Sequence, residues 1–397
     1  MRLAVVTSHP IQYQAPLFRE LARRVDLTVF FSHHATPADQ ARAGFDVGFD
    51  WDVDLLSGYE HSFLNNVANV PGIHHFAGCD TPEIGNQLKK GRYTAVLVTG
   101  WHLKSFLQCI LSAKRHGIAT MARGDSQLNT HRSSFKKLSK ALIYPGFLRL
   151  FDCALYVGQR SRAYWRHYNY PASRLFFSPH CVDTDWFAMR ASLSARNELR
   201  SKLGLSENAR VVLFAGKLLP FKRPLDIVSA LAHLKRQGFE LTLLVAGSGP
   251  LQGEIEALGN SARVSIRQLG FRNQTEMPAV YAAADVLVLP SDGRESWGLV
   301  ANEALACGKP IVVSDEVGCA PDLAADGIAG RVFIARQIPA LAEALLNVLV
   351  HPPKLKAIAE KSEIYSIRNA VHGILDALGS DSLKSQCEAQ QKDSTVV

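Results

Sequence analysis

The seven cysteines are odd in number, and no two stand in a Cys-x-x-Cys pair. A disulfide framework or a structural zinc site is therefore not expected, and reduced thiols are. No apolar run approaches the ~18 residues of a spanning helix, so any membrane contact is expected to be peripheral. The opening run Met1-Arg2-Leu3-Ala4-Val5-Val6-Thr7 is too short for a signal-peptide core and lacks a small-residue cleavage site, which favours a cytoplasmic location. No Gly-x-Gly-x-x-Gly follows a strand pattern, which disfavours an NAD enzyme, and no Gly-x-x-x-x-Gly-Lys-[Ser/Thr] is present. The histidines, including His74-His75, lack metal-ligand spacing with nearby acids or thiols, so neither a metal nor a cofactor is expected. The basic residues lack the interleaved stacking aromatics of a single-strand binder, so nucleic acid is not an expected partner.

What is present suits an ordered protein of more than one core. The chain has 397 residues, 47% of them hydrophobic and 20% charged, with a net charge of +8. Single cores stop growing at roughly 250–300 residues, so two domains are expected. The positive excess favours phosphates, nucleic acid or an anionic membrane surface without choosing among them. Apolar strand patterns at 3–7, 26–32, 94–99, 118–123 and 152–157 alternate with helical patterns at 15–24, 82–90, 103–116 and 133–144. A second series has strands at 211–215, 241–246, 264–269, 286–289 and 311–314, with helical patterns at 224–237, 251–258, 274–283, 299–307 and 339–350. Continuous apolar strands separated by helices predict α/β architecture: two doubly wound parallel sheets facing across a cleft. The expected division is 1–190 and 191–362, then a helix at 363–379 packing back toward the first domain, and a disordered tail at 380–397.

Ligands of doubly wound sheets bind at the carboxyl ends of the strands. In the second domain, Glu295-Ser-Trp-Gly-Leu-Val-Ala-Asn-Glu303 follows such a strand. Gly298 would let a ligand approach backbone N–H groups at a helix start, which bind phosphate well. Glu303 would lie about 7 Å further along the helix axis, so the two carboxylates could meet a sugar and a ribose with diphosphate between them. A plain loop–helix junction with two solvated acids is the other reading. Gly216-Lys217-Leu-Leu-Pro-Phe-Lys222-Arg223-Pro224 also follows a strand and brings three cations to a helix start. They suit a departing diphosphate, or simply a basic surface loop. Gly247-Ser248-Gly249-Pro250 is a third, weaker strand-to-helix turn.

Glu295 and Glu303, with seven residues between them, resemble the E-x7-E signature of the retaining glycosyltransferases of family four. Tyr281-Ala-Ala-Ala-Asp285-Val-Leu-Val-Leu-Pro290-Ser291 and Glu303-Ala-Leu-Ala-Cys-Gly308-Lys-Pro310-Ile-Val-Val-Ser314 are similar to the flanking family pattern, and Gly216-Lys217 with Lys222 to its G-R-x-x-x-x-K element. The likeness is specific over 205–350. It implies a GT-B fold and transfer of a sugar from a nucleotide-diphosphate donor with retention, without cofactor or metal. Glu303 would hold the ribose and Glu295 the transferred sugar. Gly298 and Leu299 would offer N–H groups to the phosphates. Lys217 and Lys222 would bind the diphosphate, with Gly216 and Ser248 beside it. Lys217 stands where the family usually has Arg, keeping the charge but not the bidentate fork.

The first domain matches mainly in architecture. In place of a Gly-Gly loop after the first strand it has Thr7-Ser8-His9-Pro10-Ile11-Gln12-Tyr13-Gln14-Ala15-Pro16, which resembles a subgroup linked to surface polysaccharide synthesis. His9, Gln12 and Tyr13 would then face a glycan or lipid-linked acceptor. His102, after the 94–99 strand, resembles the family's cleft histidine near the sugar. Arg123 and Asp125, after the 118–123 strand, are expected at the acceptor or as a local ion pair. In the 132–144 helix, Arg132, Lys136, Lys137 and Lys140 fall on one side and Phe135, Leu138 and Leu142 on the other, with no acid between Ser126 and Leu150. The expectation is an apolar face packed on the protein and a basic face that is either solvated or docked on anionic lipid. A nucleotide-sugar 2-epimerase of the same fold and a non-catalytic nucleotide-sugar binder are the alternatives.

Overall fold

The computed structural model describes residues 1–130, 134–380 and 383. The tail expected at 380–397 and Arg132 therefore fall largely or wholly outside the described residues.

Each domain is built on one parallel sheet. The first contains β1 (Arg2–Thr7), β2 (Asp26–Phe31), β3 (Glu60–Phe63), β4 (Ala95–Val98), β5 (Ala119–Gly124), β6 (Cys153–Tyr156) and β7 (Leu175–Phe177), in the order 3-2-1-4-5-6-7. The second contains β8 (Val211–Ala215), β9 (Thr242–Ala246), β10 (Ser265–Gly270), β11 (Val286–Leu289), β12 (Ile311–Ser314) and β13 (Gly330–Phe333), in the order 10-9-8-11-12-13. Both orders reverse direction beside the first strand, and that switch point opens a crevice at the strand carboxyl ends. Central strands such as Val211–Ala215 are buried along their whole length, as a sheet covered on both faces requires.

β3, β7 and β13 are not among the expected strands. All are edge strands: Glu60–Phe63 has three polar residues of four, Leu175–Phe177 has three residues, and Gly330–Phe333 contains Arg331. An edge strand needs only one apolar face, so its sequence pattern is weak. The Ser134–Leu148 helix runs on through Pro145, beyond its expected end at 144.

The Ile367–Leu378 helix lies on the first domain's sheet, where Ala370, Val371, Ile374 and Ala377 join a core with Leu3, Val5, Leu97 and Leu155. The approach is close: a Cβ on Gly373 would meet the Phe177 carbonyl oxygen at 1.8 Å, so only glycine fits. Ser178 Oγ also donates to the Ala370 carbonyl at 2.8 Å. The chain thus crosses between the domains twice. None of the six described cysteines forms a disulfide, and all six are buried. Among the described residues, no helix is long and apolar enough to cross a membrane.

Candidate functional site

β8 delivers the basic loop. Pro220–Lys222 forms a single 3-10 turn, and the Pro224–Arg236 helix follows. Arg223 folds back on Asp226, with Nε to Oδ2 at 2.7 Å, so it serves the helix start. Lys217 and Lys222 are the two cations left facing the cleft.

β11 delivers the carboxylates. The chain turns through Glu295 to Gly298, and the Leu299–Ala306 helix begins there. Gly298 has φ +97°, and a Cβ on it would meet Leu289 Cδ2 at 2.4 Å, so a side chain is excluded on both counts. Trp297 is buried, and its Nε1 donates to Asn302 Oδ1 at 2.8 Å, which fixes the turn. Glu295 forms an ion pair with Lys222, and each side chain is 14% exposed. Ser291 Oγ donates to the same carboxylate at 3.2 Å. One turn deeper, Glu303 accepts a 2.6 Å hydrogen bond from Tyr281 OH. Burial pushes the Glu303 carboxyl up to about 7, although the Tyr281 bond works in the other direction. Burial, with Lys222 next, also lowers the Lys217 ammonium from its ordinary value, while Glu295 raises it.

Two cavities meet in the cleft. One, of about 390 Å³, is lined by Gly216, Lys217, Lys222, Glu295, Val300 and Glu303, with Phe271 and Arg272 on one side and Gln12 and Trp51 from the first domain. The other, of about 450 Å³, lies in the first domain and is lined by His9, Gln12, Tyr13, His33, Asp39, Trp51 and His74, with Lys217 at its edge. Gln12, Trp51 and Lys217 line both cavities. A group held in one can therefore reach a group held in the other. In the second cavity, burial, then His33, pushes His9 down to about 4, so its ring is neutral at pH 7. Burial, then Asp125, pushes the Tyr13 phenol up to about 12. Both are neutral hydrogen-bonding groups there, suited to hydroxyls. His33 Nε2 lies 3.3 Å from Asp39 Oδ2.

The structure thus gathers Gly216, Lys217, Lys222, Glu295 and Glu303 in one cavity, and His9, Gln12 and Tyr13 in the other. Gly298 and Leu299 open the adjacent helix, and Val300 is the first of its residues on the cavity wall. Ser248 is buried and does not line it; its carbonyl accepts from the Leu218 N–H at 2.8 Å, tying two loops together. His102 lines neither cavity and lies against Phe106, with ring centres 5.6 Å apart.

Arg123 and Asp125, expected at the acceptor, line neither cavity. Arg123 is buried: its Nε donates to Ser178 Oγ at 3.0 Å and its Nη2 to the Pro179 carbonyl at 2.5 Å. The crossing to the second domain needs that carbonyl satisfied, and the guanidinium does so. Asp125 accepts from Ser296 Oγ, next to Glu295. Burial opposes its ionisation, but His180, with Nε2 3.8 Å from Oδ2, and the Ser296 hydrogen bond outweigh that and hold it at about 2. Gln127 Nε2 donates to the Gly293 and Glu295 carbonyls, each at 3.2 Å. The segment after β5 therefore clamps the loop that carries Glu295.

Trp51, Phe271, Arg272, Tyr281, His33 and Asp39 were not anticipated as site residues. Phe271 and Arg272 follow β10 directly, and the strand-end rule applied to that strand would have found them. Trp51 sits in a long connection between β2 and β3, where no pattern marks it. The segment around it bridges the domains: Phe49 lies against Phe271 with ring centres 4.2 Å apart, and Asn273 Nδ2 donates to the Asp50 carbonyl at 2.8 Å.

Two facing parallel sheets with carboxylates and lysines at their strand ends can be compared with known proteins. Residues 195–364 match the family described as glycosyl transferases group 1. This group 1 region contains all five charged residues of the first cavity, Lys217, Lys222, Arg272, Glu295 and Glu303. A GDP-mannose-dependent alpha-(1-6)-phosphatidylinositol monomannoside mannosyltransferase of Mycolicibacterium smegmatis is 28% identical over 60% of this chain and 64% of its own length. A D-inositol 3-phosphate glycosyltransferase of Mycobacterium leprae is 32% identical over 50% of this chain and 46% of its own. The chain thus spans about half to just under two thirds of the length of these relatives. Among solved structures, Anabaena Alr3699/HepE in complex with UDP and glucose has a TM-score of 0.69 at 17% identity, covering 96% of this chain and 100% of that one. WaaG, a glycosyltransferase involved in lipopolysaccharide biosynthesis, has a TM-score of 0.59 at 18% identity, covering 98% of each. The fold is GT-B.

Proposed function

We propose that this protein transfers a sugar from a nucleotide-diphosphate sugar to a glycan or lipid-linked acceptor, with retention of configuration, in surface polysaccharide synthesis. The observation that carries the reading is the convergence of Lys217, Lys222, Glu295 and Glu303 on one cavity that shares three lining residues with a second, hydroxyl-suited one. The group 1 match over 195–364 supports the donor side, and one relative is a GDP-mannose-dependent mannosyltransferase.

In this reading Glu303 accepts hydrogen bonds from the ribose hydroxyls and Glu295 from hydroxyls of the sugar. The N–H groups at the start of the Leu299–Ala306 helix receive phosphate. Lys217 and Lys222 stabilise negative charge on the diphosphate as the glycosidic bond breaks. The acceptor hydroxyl attacks the anomeric carbon on the face the diphosphate leaves, and its proton passes to the departing phosphate oxygen. The products are the glycosylated acceptor and a nucleoside diphosphate.

The test uses a panel of nucleotide-diphosphate sugars with glycan and lipid-linked acceptors, read by proton NMR at the anomeric centre. The expected product keeps the donor's anomeric configuration. An inverted product sinks retention. A C2-epimerised nucleotide sugar formed without acceptor indicates an epimerase, and donor binding without turnover indicates a non-catalytic binder.

A further inference from the structure

The Ser134–Leu148 helix packs the opposite way from its expected orientation. On its inner side, Lys140 Nζ donates to Tyr164 OH at 3.2 Å and lies 4.3 Å from the Tyr144 ring centre. Tyr144 rests on Tyr168 with centres 5.2 Å apart, Phe147 meets Trp101, and Leu148 is buried. The outer side is bare: Phe135 is 80% exposed, Leu138 62%, Leu142 76% and Ile143 63%. At 100° per residue, Phe135, Leu138 and Leu142 fall within an arc of about 60°, opposite Lys140 and Tyr144. Four large apolar side chains on one exposed helix form a ridge, which isolated surface apolar residues do not.

We infer that this ridge inserts into the headgroup–acyl boundary of an anionic lipid bilayer. Charge selects that occupant. Arg132, Lys136, Lys137 and Arg149 accompany the ridge in sequence, Lys140 being turned inward, and no acid occurs between Asp125 and Asp152. Apolar area buried at the interface and attraction of basic residues to anionic lipid act together in such helices. A second copy of the chain is disfavoured by the same pattern, because a two-fold contact sets each patch against itself and opposes like charges. The helix also starts a few residues after Gln127, which holds the Glu295 loop, so by chain reach the bilayer lies within about 25 Å of the cleft. The inference stands on this surface alone and does not require glycosyl transfer.

The experiment is co-sedimentation of the full chain with phosphatidylcholine vesicles containing about a third phosphatidylglycerol, at 50 and 500 mM salt. Leu138→Glu/Leu142→Glu is compared with the parent, with UDP and GDP binding measured in parallel to show that both are folded. The parent is expected to bind. The double variant should partition at least tenfold more weakly with nucleotide binding unchanged, and high salt should weaken binding less than the substitution does. Absence of parent binding at 50 mM salt overturns the inference. So does a variant that binds as the parent does, or a concentration-dependent dimer of the parent that the same substitutions abolish. A result in which neither nucleotide binds but the vesicles do counts against the proposed function and leaves this inference standing.

Discussion

If Glu303 holds the donor as proposed, donor binding should depend on pH in a range where few carboxylates titrate. Its carboxyl is buried and pushed up to about 7, with Tyr281 OH 2.6 Å away. A ribose donates hydrogen bonds, so the ionised form binds it better. About nine tenths of the groups are ionised at pH 8 and about one tenth at pH 6, so donor affinity should fall on the order of tenfold across that interval. An intact nucleotide-diphosphate sugar is the right ligand, because a free terminal phosphate itself titrates near pH ~6. Glu303→Gln should bind more weakly at pH 8 and show no such slope. Stability should carry the same signature with a definite sign. The folded carboxyl keeps its proton at pH values where the unfolded chain has lost it. The folded state therefore binds more protons between the ordinary carboxyl range and about 7, and this group's contribution to stability falls as pH rises through that window. Glu303→Gln should therefore gain on the order of 1–3 kcal/mol over the parent at pH 8 and nothing at pH 4, read by urea unfolding. A parent affinity that is flat from pH 6 to 8, or a Glu303→Gln variant with the parent's slope, refutes the reasoning.

Lys222→Ala should lower kcat by roughly 10²–10³ with a smaller change in donor affinity, because the charge acts most as the diphosphate departs; steady-state kinetics with saturating donor checks this. Gly298→Ala forces a side chain into a positive φ and against Leu289, and should cost about 1–3 kcal/mol in urea unfolding. Trp51→Ala should weaken both donor and acceptor, by roughly threefold to tenfold each, because its ring lines both cavities; an effect on one KM alone would count against their shared wall.

The sheets were legible where strands are central. Val211–Ala215 and Val286–Leu289 are apolar throughout because both faces are covered, and their sequences say so. Glu60–Phe63 says little, since one edge and much of its surface meet water. The first cavity was legible because its residues follow strands at short range: Lys217 after β8, Glu295 after β11. Trp51 was not, because its place in the cleft depends on Phe49 meeting Phe271 from the other domain, a contact more than two hundred residues apart in sequence. Arg123 and Asp125 were legible as strand-end polar residues, but not as to what they face. The domain crossing at Pro179 and the Ser296 hydroxyl claim them. The Ser134–Leu148 helix carries two apolar stripes. Periodicity reports both and cannot say that Tyr144 and Phe147, with their tyrosine and tryptophan partners, form the buried one.

Isothermal calorimetry of the parent and Glu303→Ala against a panel of nucleoside diphosphates at pH 8 tests most directly whether the first cavity binds the donor. At least one diphosphate should bind the parent, and its affinity should drop at least tenfold in the variant while the urea midpoint stays near the parent's or rises. If none binds the parent, or if the variant binds as tightly, Lys217, Lys222, Glu295 and Glu303 do not form a nucleotide-sugar site.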